Sequence, residues 1–393
     1  RAKNLGVTFS DPKIDIQALR EWKQRVIKGF SGGLAQLAKH RNVQFVHGHA
    51  RFEDSGLICV EDSPISRIEF KNAIVATGSS PVSLPGIRLG NGHLMDSTGA
   101  LQLSEIPRRL LVVGGGYIGL ELGTVYAALG SQVTLVELTK RLLSGVDPDL
   151  VRPVEKRLRN IFKDVYLNAK VVGLEEIGGE VEVQLGGVVE KKQQTFDKLL
   201  VSVGRKPNSD SLCLENTNVE LDKKGFIQVD SQRRTTDDRI FAVGDVAGEP
   251  MLAHKATREG KVAAEVISGQ SSAFDNLAVP AVVFTDPEVA WCGLTETEAM
   301  IQQVQVKVTR FPWTASGRAA TLGRSEGLTK ILFEPETGKV LGFGIVGARA
   351  GELIAEGALA LEMGASAEDL SATIHTHPTL SETINEAAES FMG

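Results

Sequence analysis

The chain has 393 residues, 42% hydrophobic and 23% charged, which is long enough for two or three cores and too apolar for disorder. A net charge of −6 argues against sequence-independent binding to nucleic-acid phosphates, and no apolar run approaches the roughly 20 residues of a bilayer-spanning helix. Cys59, Cys213 and Cys292 form neither a CxxC nor a CxxxxC pair, so no disulfide framework or zinc site is encoded; they fit a soluble protein of the cytoplasm or, in a eukaryote, the mitochondrial matrix.

The opening "RAKNLGVTF" reads as the end of a helix running into a loop, with neither an initiator Met nor a signal-peptide pattern, and the chain is expected to begin inside a longer protein. Ile16, Leu19, Trp22, Val26 and Ile27, then Leu34 and Leu37, recur at helical spacing and predict a long helix kinked near Gly32 and Gly33. "VQFVHGHARF", "GLICVE" and "RIEFKNAIVATGSSP" predict short strands, the last opening into a loop at Gly78 and Pro81.

"RRLLVVGGGYIGLELGTVYAALGSQVTLVEL" reads as a complete βαβ unit: a buried strand (Leu110 to Val113), a Gly114-x-Gly116-x-x-Gly119 turn, a helix rich in small residues, and a second strand ending at Glu137. In that context Gly114 permits the tight turn, Gly116 lets the backbone approach a pyrophosphate, and Gly119 allows close helix–sheet packing. The helix start supplies amide donors for the phosphates. Glu137 is placed to accept from a ribose 2′-hydroxyl, which favours NAD over NADP, although Lys140 and Arg141 close behind it are cations that a 2′-phosphate could use.

A helix around "DLVRPVEKRLRN", the alternating strand "EVEVQLGG" and the closing strand "KLLVSVGRKPN" follow. "RIFAVGDVAGEPMLAHKATREGKVAAEVISG" then reads strand, loop, helix. Thr77 in "VATGSSP" and Asp245 in "IFAVGDVAG" each end a short apolar strand, where ligands bind in open α/β sheets; Asp245 is either a ribityl or ribose acceptor or a turn carboxylate. From Val279 the pattern changes to hairpins, with a turn at Thr337-Gly338, and to two closing helices.

"IHTHPTLSE", Ile374 to Glu382, carries two readings. Thr379-x-x-Glu382 is a capping box, and His377 with Glu382 is a proton-transfer pair. His375 with His377 could supply two metal ligands, but no third is evident, and no metal is expected.

Together "VATGSSP", "VVGGGYIGLELGTVYAALGSQVTLVE", "SVGRKPN", "IFAVGDVAGEPMLAHKA", "VFTDPEVAWCGLTE", "FPWTASGRA" and "IHTHPTLSE" resemble the flavin-dependent pyridine nucleotide-disulfide oxidoreductases over essentially the whole chain, and most of all those members that act on lipoamide. The resemblance implies an α/β fold with two nucleotide-binding Rossmann-like domains, the first incomplete, and a C-terminal α+β dimerisation domain. The expected division is 1–100 and 235–278 for the FAD domain, 101–234 for the NAD domain and 279–393 for the interface domain. It implies FAD at Ala50 (through its backbone), Thr77, Gly78, Ser79, Asp245, Met251, Leu252, Ala253 and His254, and NAD at Gly114, Gly116, Gly119, Glu137, Val171 and Gly204.

By the same resemblance His377 is the acid–base for substrate thiols, Glu382 orients and charges it, and the enzyme is a homodimer. Its substrate would be the dihydrolipoyl group of a carrier protein or a 2-oxoacid dehydrogenase complex, oxidised to lipoamide with NAD+ as hydride acceptor. The family's first GxGxxG unit and its CxxxxC redox pair are not in the sequence, so they are expected in an N-terminal segment before Arg1. The alternatives are another disulfide or metal reductase of the family, or an inactive dimerisation or binding module.

Overall fold

The computed structural model describes residues 6–10, 12–84 and 92–393; the helix end expected in residues 1–5 lies outside them. Asp15 starts the first helix by accepting from the Ala18 amide, and α1 (Ile16–His40) then runs 25 residues without interruption. The predicted kink at Gly32 and Gly33 is absent: each Gly costs about 1 kcal/mol in a helix interior, less than breaking the hydrogen-bond ladder would. "VQFV" is also not a strand; pairing begins only at His49, where His49–Asp54 runs antiparallel to Leu57–Glu61 and that strand to Arg67–Glu69.

The second layer is a five-stranded parallel sheet in the order Leu94–Met95, Lys198–Val201, Arg109–Val113, Gln132–Val136, Asp164–Tyr166. After the short α2 (Ser97–Gln102), helices α3 (Tyr117–Ala128) and α4 (Pro148–Ile161) cover one face. Leu110, Val112, Leu120, Val133, Leu135 and Leu158 close a core there with almost no exposed surface. Buried on both faces, the central strands are continuous apolar runs rather than alternating ones. A three-stranded antiparallel sheet (Ala169–Ile177, Glu180–Gly187, Gln193–Phe196) caps the other side.

Strand Ile240–Ala242 returns beside Ala73–Val75 in parallel register and leads through a short turn into α5 (Ala253–Ile267). The C-terminal part is a five-stranded antiparallel sheet in the order Ala281–Val283, Glu288–Gly293, Val340–Gly347, Leu328–Phe333, Lys307–Pro312. Helices α6 (Glu296–Gln302), α7 (Gly317–Leu322), α8 (Ala350–Met363), α9 (Ala367–Ala372) and α10 (Glu382–Met392) complete it, one more at the end than the two expected. Short α9 has its own capping box, Ser366 with Asp369.

The two parts share one core. Val283, Val289 and Val346 of the C-terminal sheet belong to the same buried cluster as Leu150 of α4. A Cβ on Gly344 would stand 2.4 Å from Leu150 Cδ1, so the glycine is what lets α4 lie against the sheet.

Candidate functional site

Gly114 ends the strand Arg109–Val113 at φ +108°, a conformation open to glycine, with the Ser202 carbonyl 2.4 Å from where a Cβ would be. Gly119 sits against the turn itself: its Cβ would lie 2.1 Å from the Gly114 carbonyl and 2.6 Å from Ser202 Oγ. Gly116 is different, because it starts α3 without a side-chain cap and nothing lies within 4 Å of its would-be Cβ. The turn is therefore closed where helix meets sheet and open where α3 presents its first amides, a fit to a dinucleotide pyrophosphate.

Glu137 completes this end, its two oxygens accepting from the amides of Gly115 at 2.6 Å and Thr139 at 2.7 Å. Gly119→Ala is expected to destabilise the protein by about 2 kcal/mol through overpacking, read as a lowered Tm. Gly116→Ala is expected to leave Tm unchanged and to weaken NADH binding in a fluorescence titration.

At the neighbouring strand ends the structure joins Ser79 with Asp245, while Thr77 and Gly78 are tied to Asn208. Arg205 donates from Nε to Ser79 Oγ at 2.7 Å and from Nη2 to Ser79 O at 2.6 Å, which leaves the serine hydroxyl to donate to Asp245 at 2.5 Å. Thr77 Oγ1 donates to Asn208 O at 2.7 Å, and Gly78 turns the chain at φ +69°.

Sequence reasoning missed what holds Asp245. Fully buried Glu259 accepts from the Gly244 amide at 2.7 Å and from Arg233 at 2.8 Å, while Lys255 donates to Gly248 O at 2.9 Å, clamping both ends of the turn. The available signal was the spacing of Lys255 and Glu259, one helical turn apart. The start of α5 has no side-chain cap at Leu252, whose own amide donates to Pro250 O at 3.0 Å, so the first-turn amides from Ala253 onward are what the helix start offers an anion, whereas the His254 ring turns to Pro280 O at 2.6 Å. These groups suit a flavin dinucleotide: hydroxyl acceptors at a strand end and free amides at a helix start. Ala50, Val171 and Gly204 stand apart in the chain, Ala50 opposite Val60, Val171 within Ala169–Ile177, and Gly204 just before the strand Arg205–Pro207 at φ +125°.

His377 Nδ1 lies 2.7 Å from Glu382 Oε1, and the ring is 79% exposed. The other carboxylate oxygen accepts from the Thr379 amide at 2.7 Å; that amide, then His377, holds the Glu382 carboxyl below its usual range. With Glu382 ionised, Nδ1 donates and Nε2 faces outward, free to exchange a proton. The expected capping box is only half formed. Glu382 reaches back as predicted, but Thr379 Oγ1 donates to Thr376 O, and α10 starts at Glu382 with Ser381 as its N-cap and no side-chain capping bond. His375 is not a metal ligand beside His377, because its two nitrogens face Thr373 O at 3.0 Å and Glu356 Oε1 at 2.7 Å.

The strongest charge cluster lies between the two parts and was also unforeseen. Lys330, fully buried, reaches Asp147 at 2.7 Å and both Asp149 and Glu296 at 2.8 Å. Asp147 also accepts from the Glu296 and Thr297 amides at 3.0 and 3.1 Å, so it caps α6 from the start of α4. Burial pushes the Asp147 and Asp149 carboxyls up, but the hydrogen bonds from Lys330 and their other donors more than offset this and leave both below the ordinary value. The same three carboxylates are near enough to one another to hold a cation, and the Lys330 ammonium is the cation they hold.

Comparison with known proteins agrees with this geometry. The family described as pyridine nucleotide-disulphide oxidoreductase matches residues 5–260, and its dimerisation domain matches residues 279–388. A dihydrolipoyl dehydrogenase of Vibrio parahaemolyticus is 45% identical over 99% of this chain and 82% of its own length. One from Geobacillus stearothermophilus is 43% identical over 100% and 83%. Among solved structures, LpdA of Mycobacterium tuberculosis superposes with a TM-score of 0.91 at 27% identity, covering 100% of this chain and 86% of that one. The HOCl-induced flavoprotein disulfide reductase RclA of Escherichia coli gives 0.86 at 28%, covering 94% and 85%.

Proposed function

The chain belongs to the pyridine nucleotide-disulphide oxidoreductase family, and we propose that it serves the oxidation of protein-bound dihydrolipoamide to lipoamide, with NAD+ as hydride acceptor. The enzyme is an FAD- and NAD-dependent oxidoreductase of the dihydrolipoyl dehydrogenase type. The observation that carries the thiol chemistry is the pair of His377 and Glu382, an outward-facing imidazole with its inner nitrogen held at 2.7 Å. Identity of 45% to a dihydrolipoyl dehydrogenase over 99% of the chain supports lipoamide as the substrate.

Thr77, Gly78, Ser79, Asp245, the backbone of Ala50 and the run from Met251 to His254 would hold FAD. Gly114, Gly116, Gly119, Glu137, Val171 and Gly204 would hold NAD. When bound, FAD relays the electron pair between the thiols and NAD+. His377 takes the thiol proton at Nε2, while Glu382 keeps Nδ1 protonated and balances the imidazolium that forms. None of the three cysteines suits the redox dithiol: all are free, and burial pushes the Cys292 thiol up to about 12.

The dimerisation domain supports a homodimer, in which the exposed His377 would face the other subunit. The lipoyl group would come from a carrier protein or a 2-oxoacid dehydrogenase complex. Among the described residues no helix is long and apolar enough to cross a membrane. With three unpaired cysteines, the setting we propose is a reducing one such as the cytoplasm.

The test is an assay of the complete purified protein. It should be yellow and should form NADH from dihydrolipoamide and NAD+, much faster than it forms NADPH from NADP+. Colourless protein, or NADH formation that ignores dihydrolipoamide, would refute the reading.

A further inference from the structure

We infer that Lys255 and Glu259, with Arg233 paired to Glu259, are positioning residues for the flavin: they fix the turn Gly244–Ala247 so that Asp245 keeps one carboxylate oxygen for a hydroxyl of FAD. This rests on the reading that Asp245 holds FAD.

Glu259 has no exposed surface and Lys255 is 6% exposed, so both charges depend on hydrogen bonds for their solvation. Glu259 Oε2 accepts from the Gly244 amide at 2.7 Å and from Lys255 at 3.3 Å, and Oε1 accepts from Arg233 Nη1 at 2.8 Å. An ammonium has three donors, and those of Lys255 go to Glu259, to Gly244 O at 3.3 Å and to Gly248 O at 2.9 Å. Enclosed and fully engaged, neither side chain can reach a ligand itself. What they hold is backbone: the amide and carbonyl at one end of the turn and the carbonyl just past the other.

Between those ends Val246 is fully buried, and its carbonyl accepts from the Ile227 amide at 2.9 Å. Gly244 lies at φ +77°, and a Cβ on it would stand 3.1 Å from Ala256 Cβ, so the turn rests directly on α5. Asp245 is the residue this leaves half-buried, and its Oδ2 accepts from Ser79 Oγ at 2.5 Å. Its Oδ1 has no partner among the described residues. A turn fixed from α5 presents that oxygen already ordered, whereas a loosened turn must be ordered when the ligand binds, which weakens binding.

Glu259→Gln keeps side-chain length but exchanges one carboxylate oxygen for an amide nitrogen, a donor set against the donors of Gly244, Lys255 and Arg233. In the complete flavin-loaded protein, FAD release on dilution, read as rising flavin fluorescence, should be about 10-fold faster than in wild type, the size of one charge-assisted hydrogen bond. Asp245→Asn keeps an acceptor for Ser79 and turns the other oxygen into a donor. In that background Glu259→Gln should change release by less than about twofold, because the oxygen it positions is gone.

Wild-type release in Glu259→Gln overturns the inference. So does an undiminished effect of Glu259→Gln in the Asp245→Asn background, since a clamp that only stabilises the fold would act whatever residue 245 is. If Glu259→Gln does not fold, Lys255→Met, which frees the carbonyls at both ends of the turn, is held to the same two outcomes. Wild-type release in Asp245→Asn alone would instead sink the reading that Asp245 holds FAD, so the two failures are distinct.

Discussion

His377→Gln in the complete, flavin-loaded protein is expected to lower NAD+-linked oxidation of dihydrolipoamide by about 10²- to 10⁴-fold, the span that a positioned acid–base contributes. Glutamine is near in size and can still hydrogen bond to Glu382, but it cannot take up a proton. Because the ring is 79% exposed and packs against little, Tm should hardly move. The loss should fall on kcat, since the proton moves in the transition state rather than on binding. Steady-state kinetics with a lipoyl substrate, alongside a thermal melt, check both halves of the expectation.

Lys330→Met should cost about 3–5 kcal/mol of stability, the largest structural effect expected of a single substitution here. Its ammonium is fully buried and is shared by Asp147, Asp149 and Glu296; removing it leaves three carboxylates together, answered by the partly exposed Arg310 and by hydrogen bonds from the α6 amides, the Thr297 hydroxyl and the Leu150 amide.

The pH dependence follows in sign. In the wild type Asp147 and Asp149 lie below their ordinary value of 3.8, so their contribution is fully present above about pH 4 and is lost as pH falls through the depressed values. In Lys330→Met burial is no longer offset by Lys330, the carboxyls move up instead, and protonation relieves the crowding. The stability gap between variant and wild type should therefore narrow as pH is lowered from 7 towards 4, as measured by denaturant unfolding across that range. A constant gap would mean that the cluster contributes packing and no electrostatics.

What could be read from the sequence was what is local. The strand, glycine turn and helix from Leu110 to Ala128 are contiguous and periodic, so the tight turn at Gly114 and the close helix–sheet packing at Gly119 could be read from their order. His377 and Glu382 are near in sequence as well as in space. Lys330 was not legible, because Asp147 lies 183 residues away and nothing local marks either as a partner. The pairing of His375 with Glu356 spans 19 residues, from α8 past α9, and nothing local marks the two as partners.

The errors have local causes too. "VQFV" has strand composition, but a strand also needs a ladder partner, and among the described residues none pairs with it. The box at Thr379 was half right because its hydroxyl is already engaged by Thr376 O.

The most direct test separates the two halves of the reaction. Anaerobic rapid mixing of His377→Gln should show flavin reduction by dihydrolipoamide slowed at least about 10²-fold, with reduction by NADH at the wild-type rate. Equal rates in variant and wild type for both donors, or equal slowing of both, would contradict a proton-transfer role for His377 confined to the thiol step.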